Sequence, residues 1–108
     1  ERLAKRAFMG LAKTGGIASN GSGDYVIAFS TDSTLRIPYQ SREAKQTVRL
    51  MRNDDLSPLF MAAIEATEEA IINSLLATKT VRGKQGHTAE ALPHDRLLSI
   101  LKKYNRIQ

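Results

Sequence analysis

The first apolar pattern in the chain is helical. Near its start, apolar residues recur every three or four positions, and charged residues occupy most of the positions between them. Lys13, Thr14 and the pair Gly15-Gly16 follow, which is typical of a helix C-terminus because a cation suits the negative end of the helix dipole and glycine accepts positive φ. The pattern predicts a helix over residues 2–14. Its apolar positions are Leu3, Ala4, Ala7, Phe8, Leu11 and Ala12.

A different pattern occupies residues 24–31, "DYVIAFST". Positions 25–29 are all apolar and rich in residues that favour strands, which predicts a strand buried on both faces. Such a strand needs neighbours in a sheet and layers above and below it. Further on, Pro38 disfavours helix at the residue before it, so residues 33–40 are predicted to be extended. For residues 41–52 the pattern leaves a charged helix and a strand both open.

The longest apolar stripe lies in "SPLFMAAIEATEEAIINSLLAT", residues 57–78, and predicts a long helix. Ser57 is a candidate N-cap and Pro58 suits the first helical position. One face carries apolar side chains, and the other carries glutamates. The apolar face consists of Phe60, Met61, Ile64, Ile71, Ile72, Leu75 and Leu76, and the acidic face of Glu65, Glu68 and Glu69.

The chain ends in a predicted loop over residues 82–93 and a short helix over residues 93–104. Helices combined with a strand region predict an α+β fold, and the absence of repeats or linkers predicts that residues 1–108 are a portion of a single domain. One or two strands do not make a stable sheet, so the visible elements are too few to enclose a core by themselves.

Composition excludes several classes of protein. The 108 residues are 42% apolar and 25% charged, as in an ordinary globular chain, and no apolar run reaches the ~18 residues of a membrane span. The absence of cysteine excludes disulfides, thiolate zinc sites and a cysteine nucleophile. His87 and His94 lack further ligands at metal-site spacing, so neither a metal nor a cofactor is predicted. The cysteine-free composition is compatible with a cytoplasmic protein, which is the expectation adopted.

The net charge of +5 is unevenly distributed. Between residues 36 and 52 there are five basic residues and one acid, whereas residues 54–69 hold five acids and no base. The two stretches could pair within the fold or across a subunit contact, or they could form separate solvated surfaces. We favour separate solvated surfaces. Tyr39 is the one aromatic residue in the basic stretch, whereas nucleic-acid surfaces usually combine clustered cations with several stacking aromatics. We therefore expect no nucleic-acid partner.

The stretch "SNGSGD", residues 19–24, holds the best candidates for chemistry. If the segment is extended, Ser22 and Asp24 lie on the same side of the backbone. A hydroxyl and a carboxylate so placed can accept hydrogen bonds from an amine, but they make a poor nucleophile by themselves because an activated serine needs a nearby base. The glycines do not form a P-loop or a dinucleotide-binding pattern. On the residues alone, a simple structural turn is the stronger interpretation.

The segment "LAKTGGIASNGSGDYVIAFST", residues 11–31, resembles the self-processing N-terminal-nucleophile aminopeptidases of the DmpA and BapA type, the L-aminopeptidase/D-esterase and β-peptidyl aminopeptidase group. Residues 57–78 and 81–98 are similar to later blocks of the same family, in the same order. The resemblance implies an αββα sandwich, made from one precursor that cleaves itself into an α chain and a β chain. It implies hydrolysis of short peptide, amide or ester substrates through an acyl-enzyme.

The same resemblance assigns roles to two residues. Ser22 and Asp24 match the family's supporting serine and acidic residue beside the nucleophile, and some relatives have glutamate at the acidic position. The nucleophile itself is expected upstream of Glu1, so the chain is expected to be the C-terminal part of the β chain, inactive alone. Its expected partners are the rest of the precursor (the α chain and the start of the β chain) and further copies in a homo-oligomer. A non-catalytic αββα subunit or assembly module is the alternative.

Overall fold

The computed structural model describes residues 1–40 and 44–108, which fall into two compact units, Glu1–Thr67 and Glu68–Gln108. Three α-helices are present in the described residues: α1 (Arg2–Lys13), α2 (Ser57–Ala77) and α3 (His94–Lys103). The helices predicted over residues 2–14, 57–78 and 93–104 are therefore confirmed, with ends that differ by no more than one residue. The prediction that residues 1–108 are a portion of one domain stays a prediction.

Helix α1 ends in a Schellman motif. The amide of Gly16 donates to the carbonyl of Leu11 at 3.1 Å, and that of Gly15 donates to Ala12 at 3.0 Å. Gly15 has φ +94°, the left-handed conformation that a residue with a Cβ adopts only at a cost. The two glycines thus end α1 for the reason that the sequence indicates, and they turn the chain toward residues 17–24.

Helix α2 begins at Ser57, whereas Ser57 as an N-cap would place the first helical residue at position 58. Ser57 is itself helical, and the helix is entered through Leu56, whose carbonyl accepts from the amide of Phe60 at 3.0 Å. Pro58 is consequently the second helical residue, not the first as predicted, although it still lies in the first turn. Phe60, Ile64 and Ile71 on the predicted apolar stripe are half-buried, whereas several neighbouring apolar residues of the helix are exposed.

The second unit contains a small hairpin where the sequence predicts only a loop. Strands β1 (Val81–Arg82) and β2 (Thr88–Ala89) are antiparallel, with Val81 opposite Ala89. The turn between them has Gln85 at φ 60° and Gly86 at φ 81°, and positive φ at both central residues is what a type I′ hairpin turn requires. Gly86 provides this conformation readily, but Gln85 is an unusual residue for it.

The prediction of a buried strand over residues 24–31 is wrong for this structure. These residues pair with no strand within the described chain, and Tyr25, Ile27 and Phe29 are 90%, 88% and 84% exposed. Val26, between two of them, is only 38% exposed. The physical reason is the one that the sequence raises: a strand exists only with neighbours, and the described elements provide none here.

Residues 33–40 also differ from the prediction of a fully extended segment. Ser33–Leu35 form a single 3₁₀ turn, and the backbone becomes extended at Arg36 (φ −73°, ψ 133°), before Pro38. Residues 41–43 lie outside the described residues. They include Arg42, one of the five basic residues between positions 36 and 52, and Glu43, the one acid there. Residues 44–52, the described part of the predicted segment 41–52, form neither a helix nor a strand. Both alternatives left open for the segment are therefore wrong for these residues.

Helices with a small antiparallel sheet confirm the α+β fold class. Across the described residues no hydrophobic side chain is fully buried, which agrees with the expectation that these elements are too few to enclose a core. None of the described helices is both long and apolar enough to cross a membrane.

Candidate functional site

The candidate site begins with a tight turn at residues 19–22. The amide of Ser22 donates to the carbonyl of Ser19 at 2.8 Å, and Gly21 has φ +89°. Positive φ at the third residue of a four-residue turn is the requirement of a type II turn, which glycine satisfies. Asn20 and Gly21 are thus the central residues of an exposed turn, and this turn sets the direction in which the next residues leave.

The turn brings Ser22 and Asp24 into contact. The Ser22 hydroxyl donates a hydrogen bond to Oδ2 of Asp24, across Gly23. The spacing of two residues predicts that both side chains lie on one side of the backbone, and this hydrogen bond confirms it. Both residues are exposed, so the pair faces solvent and is open to a ligand or to another part of a protein.

This geometry determines what the pair can do chemically. A serine hydroxyl that donates its proton to a carboxylate still accepts hydrogen bonds through its lone pairs, and the carboxylate has a second oxygen that accepts as well. The two side chains thus present several acceptors, and their one donor, the serine hydroxyl, is already engaged. That is an arrangement for holding an amine or ammonium group. It does not activate Ser22 as a nucleophile, since a carboxylate is a weak base for a hydroxyl proton.

The surroundings of the pair differ from the sequence-based picture of a rigid strand end. The residues after Asp24 are exposed and unpaired in the described chain, so the pair lies beside an open apolar segment rather than at the mouth of a buried strand. A Cβ on Gly23 would meet Cε2 of Tyr25 at 3.5 Å, an ordinary contact. The Tyr25 ring therefore lies close to the backbone that joins Ser22 to Asp24.

A second polar cluster, which the sequence pattern did not predict, follows this segment directly. Asp32 caps the 3₁₀ turn Ser33–Leu35: its Oδ1 accepts from the amide and from the hydroxyl of Thr34, both at 2.8 Å. These hydrogen bonds hold the pKa of Asp32 below its ordinary value, and the bond from the Thr34 amide has the larger effect. The amide of Asp32 itself donates to the Ser30 hydroxyl at 3.2 Å. The signal in the sequence was the run Asp-Ser-Thr, a common capping pattern.

A cavity of about 470 Å³ lies elsewhere in the first unit. Its lining includes Arg2 and Phe60 but neither Ser22 nor Asp24. The guanidinium groups of Arg2 and Arg6 lie 4.8 and 4.0 Å from the centroid of the Phe60 ring, which are cation–π distances. Arg2 also donates a hydrogen bond to Asn53. Through these contacts the two arginines of α1 pack against the start of α2 and the residues just before it.

The two histidines have structural positions in the second unit. His94 is the first residue of α3, and its Nε2 lies 3.0 Å from the carbonyl oxygen of Leu76 in α2. His87 lies in the hairpin just before β2, as expected of a loop residue. In the part of the chain that the structure describes, no three histidine, aspartate or glutamate residues cluster as a metal site would require.

Comparison with known proteins places these elements in a family. The sequence pattern of peptidase family S58 matches residues 1–89. The chain is 47% identical, over 99% of its length, to the β-peptidyl aminopeptidase BapA of Sphingosinicella microcystinivorans. It spans 26% of the length of that relative.

Two solved structures share the fold. The PH0078 protein of Pyrococcus horikoshii OT3 matches with a TM-score of 0.85 and 48% identity over 98% of this chain and 29% of its own. The L-aminopeptidase D-Ala-esterase/amidase of Ochrobactrum anthropi matches with a TM-score of 0.83 and 33% identity over 99% of this chain and 30% of its own. The latter is described as a serine aminopeptidase and a variant of the Ntn hydrolase fold. The predicted resemblance and fold class are confirmed.

Proposed function

The chain belongs to peptidase family S58, and on that basis we propose that it is part of a serine N-terminal-nucleophile aminopeptidase in which Ser22 and Asp24 hold the nucleophile's amine. The intact protein would release N-terminal residues from peptides, amides or esters through an acyl-enzyme. The observation that carries the assignment is the hydrogen bond from the Ser22 hydroxyl to Asp24, which arranges acceptors for an amine. The names of the relatives support an aminopeptidase activity.

The chemistry needs such a pair of acceptors. In an N-terminal nucleophile the serine's own α-amine takes the proton from the hydroxyl, and an α-amine titrates near ~7.7–8.0, so much of it is neutral at working pH. The amine becomes an ammonium as the hydroxyl oxygen attacks the substrate carbonyl. Hydrogen bonds to Ser22 and to the Asp24 carboxylate stabilise that developing positive charge and fix the direction of the amine. Water then attacks the acyl-enzyme ester and restores the serine.

In this proposal the nucleophilic serine also cleaves the precursor and so produces its own free α-amine. Before cleavage its hydroxyl attacks the carbonyl of the preceding peptide bond, and the chain is transferred from nitrogen to oxygen as an ester. Hydrolysis of that ester leaves a new carboxyl terminus on one chain and the free α-amine on the other. We assign the nucleophile to a serine outside residues 1–108, in the remainder of the precursor, since this chain spans only 26% of the length of the BapA relative.

The exposed apolar segment supports the partner assignment. Tyr25, Ile27 and Phe29 expose three large side chains on a segment that has no strand partner among the described residues. Burial of such a segment is worth about 1.5–3 kcal/mol per large side chain. In the proposal, other parts of the same precursor cover this segment. Further copies of the protein pack on exposed apolar residues of α2 such as Met61 and Leu75.

The experiment uses the full protein that carries this chain and measures the release of amino acids from aminoacyl and β-aminoacyl p-nitroanilides. Ser22→Ala and Asp24→Ala should each lower kcat strongly and leave the folded structure intact. Ser99→Ala is the matched control, because Ser99 is an exposed serine whose hydroxyl donates within α3, to the carbonyl of Asp95. Wild-type rates in both site variants would refute the assigned roles. A full-length sequence without an upstream Ser, Thr or Cys that cleavage frees would instead favour the non-catalytic subunit.

A further inference from the structure

The turn that holds the candidate site contains the one asparagine of this chain that is followed by glycine. An asparagine side chain can be attacked by the backbone nitrogen of the next residue, which closes a five-membered succinimide ring. A following residue with a Cβ hinders the ring closure, and glycine does not. The four asparagines and their successors are Asn20-Gly21, Asn53-Asp54, Asn73-Ser74 and Asn105-Arg106.

The structure leaves Asn20 and Gly21 open to this reaction. Both are exposed, and within the described residues neither the Asn20 side chain nor the Gly21 amide has a hydrogen-bond partner. A Cβ placed on Gly21 would meet no atom within 4 Å other than those of its chain neighbours, so no other described segment covers that side of Gly21. A single hydrogen bond, from Ser22 to Ser19, closes the turn. Local opening of such an exposed turn has a small free-energy cost.

The other asparagines are protected in three different ways. Asn53 accepts a hydrogen bond from the guanidinium of Arg2 through its side-chain oxygen. Asn73 lies inside α2, where helical hydrogen bonds hold the backbone nitrogen of the next residue. Asn105 is followed by Arg106, whose amide donates to the carbonyl of Leu101 at 2.9 Å in the turn that ends α3. Sequence and structure thus single out the same site.

We propose that Asn20 is a deamidation site, and that its slow deamidation alters the turn that leads to Ser22 and Asp24. The Gly21 nitrogen, after losing its proton to base, attacks Cγ of Asn20, and the side-chain nitrogen leaves as ammonia. Water then opens the succinimide at one of its two carbonyls, which gives aspartate or isoaspartate at position 20. No oxidant or reductant takes part. Since a deprotonated backbone nitrogen attacks, the reaction accelerates as the pH rises.

Both products alter the candidate site. Either one adds a negative charge two residues before Ser22 and four before Asp24, and isoaspartate also inserts a methylene into the backbone of the turn. The hydrogen bond from Ser22 to Ser19 then no longer closes the same ring of atoms. This consequence for catalysis rests on the proposed function, whereas the modification does not.

The test incubates the full protein at mildly alkaline pH and follows the peptide that contains Asn20 by mass spectrometry and by enzymatic methylation of isoaspartate. Hydroxylamine, which cleaves at the succinimide, should cut between Asn20 and Gly21. We expect isoaspartate at position 20 before it appears at Asn53, Asn73 or Asn105. Asn20→Gln is the matched control: its amide is kept, but it would have to close a six-membered ring, so it should remain unmodified and its activity should not decline during the incubation.

The outcomes separate the two claims. Absence of modification at Asn20, or equal rates at Asn20 and Asn53, overturns the proposal. Modification accompanied by a loss of aminopeptidase activity in the wild type, but not in Asn20→Gln, supports both the site and its effect. Modification without any change in that activity overturns the effect and keeps the site. If the full protein has no aminopeptidase activity at all, the proposed function fails, while the chemical readout still decides on the modification.

Discussion

The Ser22 hydroxyl donates a hydrogen bond to the Asp24 carboxylate across a single glycine. The carboxylate therefore fixes the direction of the hydroxyl proton, and the serine lone pairs are left to accept from a third group. Removal of either member changes the other: without Asp24 the hydroxyl can rotate, and without Ser22 the carboxylate loses a donor. The two residues should consequently act as one unit.

A double-mutant cycle tests this coupling in the full protein. We expect Ser22→Ala and Asp24→Ala each to lower kcat, and the double variant to lose much less than the product of the two single effects. Residues in direct contact commonly show coupling energies of about 0.5–3 kcal/mol. The measurement is kcat for one p-nitroanilide substrate in all four proteins. Multiplicative losses would show that the hydrogen bond has no role in catalysis.

The backbone that leads into this site depends on Gly15. Its φ of +94° ends α1, and substitution by alanine forces a Cβ into the left-handed region, which costs about 1–2 kcal/mol. We expect Gly15→Ala to lower the free energy of unfolding by that amount, measured by denaturant titration of the full protein.

Gly83→Ala is the control for this effect. Gly83 has φ −95°, and a Cβ there would meet the His87 carbonyl oxygen at an ordinary 3.6 Å. We expect a change within about 0.5 kcal/mol, as for other surface substitutions. Equal losses in the two variants would mean that the left-handed conformation is not the cause.

The elements that could be predicted from the sequence are those whose signals are local. The helices follow from their apolar spacing, and the end of α1 follows from Gly15-Gly16, because both depend on residues within a few positions of each other. The contact of Ser22 with Asp24 follows from a spacing of two residues. The role of that contact came from a family resemblance, since a hydroxyl beside a carboxylate is also common in structural turns.

The errors concern features that depend on distant partners or on rare backbone conformations. Residues 24–31 have the composition of a buried strand, but composition does not provide the neighbouring strands that a sheet needs. The hairpin of β1 and β2 was missed because Gln85, at φ 60°, occupies a position where asparagine or glycine is the usual signal. The cap at Asp32 was missed because the segment was interpreted as extended throughout.

Asp32 provides a test by pH. Hydrogen bonds from the amide and hydroxyl of Thr34 lower its pKa, so the folded turn prefers the carboxylate. Their contribution to stability is present above the ordinary aspartate pKa, and it is lost as the pH falls through the lowered value. Thr34→Val removes the hydroxyl and keeps the amide, so the pKa of Asp32 should rise part of the way to its ordinary value. Thr34→Ser keeps both donors and should leave it low.

The readout for Asp32 is the carboxyl chemical shift in an NMR titration. Because Asp32 is fully exposed, we expect a change in the titration midpoint and little change in overall stability. If the valine and serine variants titrate alike, the amide alone lowers the pKa and the side-chain hydrogen bond has no part in it.

His94 ties the start of α3 to the end of α2 within the second unit. The last carbonyls of a helix have no partner inside it, and that of Leu76 accepts from Nε2 of His94 at 3.0 Å. Loss of one such hydrogen bond costs about 0.5–1.5 kcal/mol. We therefore expect His94→Ala to lower the free energy of unfolding by that amount and to speed hydrogen exchange in α3. His94→Gln, which keeps a donor at similar reach, should recover part of the loss.

His87→Ala separates this contact from a general effect of removing a histidine. The His87 side chain is exposed and has no hydrogen-bond partner among the described residues, so its replacement should leave exchange in α3 unchanged. Equal acceleration in the two alanine variants would contradict a specific role for the contact with Leu76. A glutamine variant no more stable than the alanine variant would show that packing of the imidazole ring, rather than its hydrogen bond, holds α3 in place.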